Sequence, residues 1–182
     1  MKQLCVPLAH GFEEIEAISI IDICRRGDID VIVAGVDSKT AIGAHNIPVV
    51  TDCLIGEINI DKLDMVVLPG GWDGTQSLAS NKTMQSILKQ MKQQDKYIGA
   101  ICAAPYALDC ADVLGDQFTC YPSIEKKIKS PGYNKNSNTV INGKIITSQG
   151  VGTAICFALE IVKTLQGDKH YLQLKQQLLA KC

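Results

Sequence analysis

The cysteine at position 102 is the residue of this chain best placed to act as a nucleophile. Cys102 ends an apolar run over residues 97–101, and small residues then lead into a helical pattern over 106–114. A cysteine between a buried strand and a helix start lies on a tight turn near the helix N-terminus, whose partial positive charge favours thiolate over thiol. A small buried core cysteine is the alternative, and this segment alone favours neither interpretation.

Two consecutive glycines, Gly70 and Gly71, follow another apolar run and form the second candidate feature. Glycine permits a positive φ and leaves its backbone N–H unhindered. Together with the N–H of Ala103, the N–H of Gly71 would make an oxyanion hole beside Cys102, and Gly70 would line the substrate site. A plain strand-to-loop turn is the alternative for the two glycines.

Three glutamates, Glu13, Glu14 and Glu16, are crowded into the first turn of a predicted helix. Complementing the helix dipole is the ordinary role of acids at this place. Glu16, however, lies between two apolar residues where the helix must pack on the sheet, and burial favours the protonated carboxyl. A protonated Glu16 beside Cys102 would donate a hydrogen bond to the thiolate or act as a general acid and base. We expect Glu13 to contact the substrate.

Buried strands and amphipathic helices alternate along the chain and must position these groups. Continuously apolar runs are typical of buried parallel strands, and 3.6-residue periodicity indicates helices. The alternation predicts one α/β domain over residues 1–182, a doubly wound sandwich with a mostly parallel sheet and helices on both faces. The predicted strands are 4–9, 29–35, 65–69 and 97–101; the predicted helices are 13–26, 81–94, 106–114, 151–165 and 169–179; hairpin or edge strands are predicted at 44–51 and 139–147.

The predicted topology brings the candidate residues together. In a parallel α/β sheet, ligands bind at the carboxyl ends of the strands. The segments 10–16 and 69–74 and the residue Cys102 each follow a predicted strand directly. We therefore expect the glutamates, the glycines and the cysteine to meet at this edge.

The composition excludes several classes of protein. The 182 residues are 46% hydrophobic with a net charge of −1, so no basic excess indicates binding to nucleic acid or a membrane surface. The apolar part of the N-terminus is too short for a signal peptide or a membrane span. We expect a cytoplasmic protein.

Eight cysteines are scattered without a CxxC pair, which argues against a zinc site. A disulfide framework is not expected at this size in a reducing compartment. Cys5, Cys24 and Cys156 are interpreted as reduced core residues, the first in a strand and the others on apolar helix faces. Cys120 is the candidate resolving thiol for Cys102, with a reduced strand cysteine as the alternative.

Four segments occur in an order and spacing that resembles the ThiJ/PfpI superfamily, and its parkinsonism-associated protein deglycase branch in particular. They are Gly11-Phe-Glu-Glu-Ile-Glu16, Val67-Leu-Pro-Gly-Gly71, Ile101-Cys-Ala-Ala-Pro105 and Thr147-Ser-Gln-Gly-Val-Gly-Thr153. The resemblance runs over essentially the whole chain.

The resemblance implies a flavodoxin-like fold and a homodimer. It also implies a reactive Cys102, a protonated Glu16 hydrogen-bonded to its sulfur, and the amides of Gly71 and Ala103 around it. Arg26 is a further candidate for substrate binding, and Cys53 is a candidate for the dimer interface.

The chain departs from the family pattern at the histidine that would serve as the general base for the cysteine. Many relatives place a histidine in the segment that here contains Tyr121, which we expect to contact the substrate instead. Ala103 stands where the proteolytic branch has a histidine, so a Cys–His dyad lacks its base and peptidase activity is not expected. His10 is the histidine that would come nearest the pocket, with a capping or surface role as the alternative.

The resemblance implies a cysteine-dependent glyoxalase or deglycase that needs no cofactor and no metal. Its substrates would be small reactive carbonyl compounds of the methylglyoxal type, or side chains glycated by them. The alternative is an oxidation sensor or redox-activated chaperone that uses the same cysteine.

Overall fold

A seven-stranded sheet forms the centre of the molecule, and the computed structural model describes residues 1–182. The strands are β1 (Gln3–Leu8), β2 (Asp30–Gly35), β3 (Thr40–Ile42), β4 (Pro48–Val50), β5 (Cys53–Leu54), β6 (Met65–Leu68), β7 (Tyr97–Ile101), β8 (Thr139–Asn142) and β9 (Ile145–Ser148). The order in the sheet is β5-β2-β1-β6-β7-β9-β8, while β3 and β4 form a separate hairpin. Every neighbouring pair in the large sheet is parallel except β8 and β9.

Helices cover both faces of this sheet. They are α1 (Glu14–Arg26), α2 (Trp72–Ser80), α3 (Lys82–Gln93), α4 (Pro105–Cys110), α5 (Ala154–Gln166) and α6 (Asp168–Gln177), with 3-10 turns at Ile55–Glu57, Ile60–Lys62, Ile124–Lys127 and Val151–Thr153. Apolar residues of α1, α5 and α6 form one buried cluster with the sheet, and those of α2, α3 and α4 form the other. None of the helices is long and apolar enough to cross a bilayer.

The predicted α/β architecture is confirmed, with strand bounds that differ by at most one residue at either end for the four buried strands. Burial on both faces explains this agreement, since such strands are continuously apolar. Helix α2 was not predicted from the sequence, because Gly71 and Gly74 near its start are typical of a loop. The helix predicted over 106–114 ends at Cys110, and the chain turns through Asp112 with φ +57°.

The two predicted hairpin regions are partly right. The segment 44–51 contains β4, but its partner β3 lies just before it. The segment 139–147 contains the antiparallel pair β8 and β9, joined at Gly143 with φ +60°. Of these two strands β8 is the edge strand, because β9 also pairs with β7.

The expectation that Cys156 is a reduced core cysteine is wrong, although six of the eight cysteines are free and no disulfide framework is present. Cys156, in the first turn of α5, is bonded to Cys182, with the two Cα atoms 5.5 Å apart. Leu179 adopts φ +53°, which turns the chain after α6, and the N–H of Ala180 donates to the carbonyl of Lys175. This turn returns the last residue to α5. Cys156 is therefore a cross-linked residue and not a reduced core cysteine, whereas Cys5 and Cys24 are buried and free as predicted.

Candidate active site

The backbone at Cys102 is held in a conformation that residues other than glycine adopt rarely. Its φ is +62°, in the left-handed region, at the turn between β7 and α4. Its N–H donates to the carbonyl of Ser148 at the end of β9 (3.0 Å), and its carbonyl accepts from the N–H of Tyr121 (2.9 Å). Two segments distant in sequence thus hold the turn and leave the thiol half-buried.

The carboxyl group of Glu16 is fully buried at the same edge of the sheet. Its Oε2 accepts a hydrogen bond of 2.8 Å from the N–H of Gly70. Its Oε1 has no aligned hydrogen-bond partner, and the group beside it is the thiol of Cys102, whose interaction with the carboxyl shifts the pKa values of both. Glu16 and Cys102 therefore lie close enough for each to shift the pKa of the other, while the predicted hydrogen bond between the carboxyl group and the sulfur stays a prediction.

The loop after β6 brings two glycines against this pair. A Cβ on Gly70 would lie 2.6 Å from Cys102 Cβ and 2.7 Å from Glu16 Oε2, so no larger residue fits there. Gly71 has φ +85° and precedes the first residue of α2. The backbone N–H groups of Gly71 and Ala103 both act on the Cys102 sulfur, since each lowers the pKa of its thiol. The two predicted oxyanion donors are brought together as expected.

The pKa values of the two side chains depend on each other. Burial raises the pKa of Glu16 to about 7, against the hydrogen bonds from Gly70 and Cys102, which lower it. Burial, followed by the charge of Glu16 and its hydrogen bond, raises the pKa of Cys102 to about 12, although the amides of Gly71 and Ala103 lower it. The two groups therefore retain one proton between them only above about pH 7, and they take up a second proton below it.

The pKa of the Cys102 thiol is raised and not lowered, contrary to the expectation from the sequence. The sequence analysis attributed a lowered pKa of Cys102 to the N-terminus of the following helix. That helix begins only at Pro105, and burial and the Glu16 carboxylate outweigh the neighbouring amides. The thiolate forms when the shared proton moves to Glu16, because the charge on the carboxyl group is then removed. The expected rise in the pKa of Glu16 is confirmed.

Tyr121 and Gly150 complete the surroundings of the thiol. A Cβ on Gly150 would lie 3.9 Å from Cys102 Sγ, 3.9 Å from Glu16 Oε1 and 3.2 Å from Tyr121 Cδ2. Tyr121 therefore lies at the border of the site, and its contact with the substrate stays a prediction. Gly150 and Ser148 were not singled out by the sequence analysis, although both belong to a quoted motif that follows β9. Their position after a strand of the sheet was the available signal.

Glu13 lies at the border of the site and turns toward the β3–β4 hairpin. Its N–H donates to the carbonyl of Gly70 (2.9 Å), and its charge contributes to the raised pKa of Glu16. Its Oε2 lies 3.8 Å from Nδ1 of His45. Glu14 accepts from the backbone N–H of His45 (2.6 Å) and pairs with its ring (2.9 Å). Substrate contact by Glu13 stays a prediction.

Glu13, Glu14 and His45 are also the chain's one group whose ligand atoms lie close enough to hold a metal ion. Both oxygens of Glu14 are already engaged by His45, which ties the hairpin to α1. These contacts give the group a structural role without an ion.

Two further candidate residues do not join the site. Arg26 is exposed at the C-terminal end of α1, ten residues and roughly 15 Å along the helix from Glu16, and pairs with Asp22 (2.8 Å). Arg26 therefore lies away from Cys102 of its own chain, and substrate binding by Arg26 stays a prediction. His10 accepts the N–H of Ile42 through Nδ1 (3.0 Å), which is the alternative capping role.

The two remaining cysteine candidates are free thiols. Cys120 is fully buried, and burial raises its pKa to about 12. Cys53 is half-buried in β5, and burial raises its pKa as well. A resolving role for Cys120 and an interface role for Cys53 stay predictions.

A cavity of about 580 Å³ lies elsewhere on the molecule, lined by residues such as Met1, Arg25 and Asp52. It contains no thiol, and its ionisable groups are exposed or paired with each other. The site at Cys102 is where a thiol, a buried carboxyl group and the backbone amides of Gly71 and Ala103 converge. We therefore choose Cys102 as the candidate active site because of the chemical groups around it, and not because of the size of a cavity.

The geometry defines a parallel α/β protein with a cysteine–carboxyl site at the carboxyl edge of its sheet. Residues 2–164 match the model of the DJ-1/PfpI family. The chain belongs to the DJ-1/PfpI family, which confirms the resemblance found in the sequence.

Three individual proteins illustrate this relationship. The chain is 34% identical over 183 residues to Protein DJ-1 homolog B of Arabidopsis thaliana, covering 99% of this chain and 42% of that protein, so it spans less than half the length of that relative. It is 35% identical to the glutathione-independent glyoxalase DJR-1.2 of Caenorhabditis elegans, over 93% of this chain and 91% of the relative. The crystal structure of Drosophila melanogaster DJ-1beta superposes with a TM-score of 0.96 at 33% identity, covering 100% of this chain and 99% of the other.

Proposed function

We propose that this chain is a cysteine-dependent glyoxalase that converts 2-oxoaldehydes of the methylglyoxal type into 2-hydroxy acids without a cofactor. The observation that carries the proposal is the buried carboxyl group of Glu16 beside the Cys102 thiol, with the amides of Gly71 and Ala103 at the same sulfur. The name of the C. elegans relative supports the same reaction class. A deglycase acting on protein-borne adducts would use the same groups.

The first step is addition of the thiol to the aldehyde. The shared proton moves from Cys102 Sγ to Glu16, and the thiolate attacks the aldehyde carbon. The carbonyl oxygen becomes an alkoxide, which the N–H groups of Gly71 and Ala103 stabilise, and then takes the proton from Glu16 to give a hemithioacetal. Donors already aimed at the place where negative charge develops stabilise a transition state without reorganisation.

Glu16 next acts as a base. Its carboxylate removes the hydrogen on the former aldehyde carbon, which gives an enediolate. Protonated Glu16 then returns this proton to the neighbouring carbon, while the hydroxyl proton of the former aldehyde carbon moves to the oxygen of the neighbouring carbon. The product is a thioester of the 2-hydroxy acid, and water hydrolyses it to release the acid and regenerate Cys102. A pKa of about 7 suits this role, because the same group must accept and return a proton near neutral pH.

The test is to incubate the protein with methylglyoxal and to measure D- and L-lactate with stereospecific dehydrogenases. The proposal expects lactate from the wild type and none above background from Cys102→Ser. Cys110→Ser is a matched control, because Cys110 is exposed on α4 and its loss should leave the rate unchanged. Equal lactate formation by wild type and Cys102→Ser would overturn the proposal.

An oxidation sensor is the second candidate, and the donor groups around the sulfur favour it. Peroxide would oxidise the Cys102 thiolate to a sulfenate with release of water, and a second peroxide would give a sulfinate. The sulfinate oxygens would accept hydrogen bonds from Gly71, Ala103 and protonated Glu16. A chaperone activity switched on by this oxidation belongs to the same hypothesis.

Mass spectrometry after mild peroxide treatment separates this candidate from unselective oxidation. The sensor requires that Cys102 gain two oxygen atoms before the exposed thiol of Cys110 does. Oxidation of Cys110 first, or of both at one rate, would contradict it. The chaperone form further requires that the oxidised protein, and not Cys102→Ser treated alike, suppress aggregation of a denatured client.

We also propose that two copies of the chain pair through an apolar surface near the site. Ile15 and Ile18 on α1 and Ile42 and Ile47 at the β3–β4 hairpin are all 44–56% exposed. Exposed apolar residues grouped on neighbouring elements are typical of protein–protein contacts. Analytical ultracentrifugation should give a dimer for the wild type and a monomer for Ile15→Glu, and a monomeric wild type would contradict the pairing.

A further inference from the structure

The cross-link between Cys156 and Cys182 is the one disulfide of a chain whose other six cysteines are free thiols. One of the six, Cys110, is exposed. Proteins whose fold depends on disulfides pair most of their cysteines, whereas a disulfide in a protein otherwise rich in free thiols is usually redox-active. The cysteine composition therefore favours a redox role for this pair over a framework.

Cys182 is the accessible sulfur of the pair. It is exposed, whereas Cys156 is half-buried on the first turn of α5. Thiol–disulfide exchange begins when a thiolate reaches one of the two sulfur atoms, and exposed disulfides are the ones that exchange readily. A small thiol can therefore reach Cys182 while the rest of the domain stays folded.

The charges near the two cysteines differ. Lys175 Nζ donates to the carbonyl of Cys182 (2.9 Å), and Lys181 directly precedes Cys182. On α5, the residue one turn beyond Cys156 is Glu160. Positive charge nearby favours a thiolate and negative charge disfavours it. Cys182 is therefore the better nucleophile of the two when the pair is reduced, and its lysines favour a reagent that carries carboxylates.

The segment 178–182 depends on the cross-link for its attachment to α5. All of its hydrogen bonds return to α6: the N–H of Leu178 donates to the carbonyl of Leu174 (2.9 Å), and the N–H of Ala180 donates to the carbonyl of Lys175 (3.1 Å). Leu178 and Ala180 are partly buried against the cluster that α1 and α5 form with the sheet. The disulfide is thus the link that adds to these partly buried apolar contacts.

Helix α6 itself does not need the cross-link. Leu174 is 3% exposed and belongs to the same buried cluster as Phe157 and Leu165 of α5. Opening the disulfide should therefore release the segment and leave α6 in place. Because α6 stays docked, the two thiols remain at a high effective concentration and can pair again.

We propose that Cys156 and Cys182 form a reversible dithiol–disulfide couple that exchanges with small anionic disulfides of the glutathione class and thereby fastens or frees the segment 178–182. The couple lies outside the Cys102 site, and it does not depend on the proposed glyoxalase function. It adds a second redox site to the chain, with a conformational consequence of its own.

The exchange takes two steps. The Cys182 thiolate attacks one sulfur of the small disulfide, forms a mixed disulfide and expels the first small thiolate. The Cys156 thiolate then attacks the Cys182 sulfur and expels the second. The two protons given up by the protein thiols pass to the two expelled thiolates. The protein dithiol is oxidised and one small disulfide is reduced to two thiols, so an excess of the small thiol reverses the reaction.

The first test equilibrates the protein in buffers from fully reduced to fully oxidised glutathione, followed by acid quenching, alkylation and mass spectrometry. The cross-link should be open in reduced glutathione and closed in oxidised glutathione, with both thiols lost together. Cys110→Ser is the matched control and should behave like the wild type. A cross-link that stays closed in reduced glutathione, or that does not form in oxidised glutathione, would overturn the proposal.

Two variants test the order of attack. Cys156→Ser removes the second thiol, so a glutathione adduct should accumulate on Cys182. Cys182→Ser leaves only the half-buried thiol of Cys156, which should gain the adduct more slowly. A faster reaction at Cys156 would contradict the role of Cys182 as the first nucleophile.

Hydrogen exchange followed by mass spectrometry measures the release of the segment. The amides of residues 178–180 should lose protection when the wild type is reduced, and should exchange equally fast in Cys182→Ser with or without reductant. The amides of α6 should stay protected in all of these forms. Equal exchange of the segment in the oxidised and reduced wild type, or a loss of protection that extends through α6, would overturn the local release.

Discussion

Cys102 and Cys156 are both half-buried cysteines that follow adjacent strands of one sheet, yet their neighbours give them different chemistry. Cys102 comes directly after β7, and Cys156 lies in the first turn of the helix that follows β9, the strand paired with β7. The partner of Cys102 is a buried carboxyl group, whereas the partner of Cys156 is another cysteine at the end of the chain.

The difference shows that residue type and burial do not define a cysteine's role in this fold. At Cys102 a left-handed turn presents the sulfur to two N–H groups and Glu16, which keeps the thiol free and able to exchange a proton. At Cys156 the returning C-terminal segment occupies the place next to the sulfur. The first arrangement suits the proposed reaction and the second cross-links the chain, so variants at the two places should affect different measurements.

The largest expected effect is on turnover at the Cys102 site. Glu16→Gln keeps the shape of the carboxyl group but cannot carry the proton between carbons. We expect kcat for methylglyoxal to fall by about 10²–10⁴-fold, the usual contribution of a positioned acid–base group. The thermal midpoint at pH 8 should not fall, because a buried charge is replaced by a neutral amide. If Glu16→Gln lowers the thermal midpoint enough to explain the lost activity by unfolding, the result would contradict the assignment of Glu16 as the acid–base group.

The opposite pattern is expected for the disulfide. Cys182→Ser removes a cross-link between residues 26 apart in sequence, and we expect the free energy of unfolding to fall by about 3 kcal/mol. Activity toward methylglyoxal should stay at the wild-type level, since Cys182 lies outside the site. Urea unfolding in the presence and absence of a reductant provides the measurement.

Reduction of the wild type is the matched control for this variant. A reductant should lower the stability of the wild type to that of Cys182→Ser and leave Cys182→Ser unchanged. A wild type that does not respond to the reductant, or a Cys182→Ser variant as stable as the oxidised wild type, would contradict a stabilising cross-link.

The same comparison shows which parts of the molecule could be predicted from sequence. The strands before Glu16, Gly71 and Cys102 are continuously apolar, and parallel strands place their carboxyl ends at one edge, so the meeting of these residues followed from local pattern and topology. Arg26 was a candidate only through the family resemblance, and the predicted helix over residues 13–26 already placed it ten residues along the helix from Glu16.

The disulfide and Gly150 could not be predicted for related reasons. Cys182 reaches Cys156 only because Leu179 turns the chain after α6. A leucine rarely adopts a φ of +53°, so the sequence gives no signal for this turn. Gly150 has an extended backbone, so its sequence context gave no turn signal, and its role depends on the positions of Tyr121 and Cys102. Long-range contacts of this kind are not encoded in local periodicity.

A smaller effect is expected from pH, again at Cys102 alone. The raised pKa of Glu16 means that the pair takes up a second proton below about pH 7, which leaves Glu16 neutral and Cys102 a thiol. We expect kcat/KM for methylglyoxal to rise about tenfold per unit up to that pH and to level off above it. Cys182→Ser should give the same profile. A rate independent of pH between 5 and 8 would contradict the shared proton.

The smallest expected effect concerns a third kind of cysteine, which has neither a carboxyl nor a thiol partner. Cys24 is fully buried in α1, and burial alone raises its pKa well above the usual range. Cys24→Ala removes one buried atom from a packed core, so we expect a loss of about 1 kcal/mol in the free energy of unfolding, with no change in lactate formation. Urea unfolding and the lactate assay measure the two quantities. A loss of activity without a loss of stability at Cys24 would mean that the thiol chemistry is not confined to the Glu16–Cys102 pair.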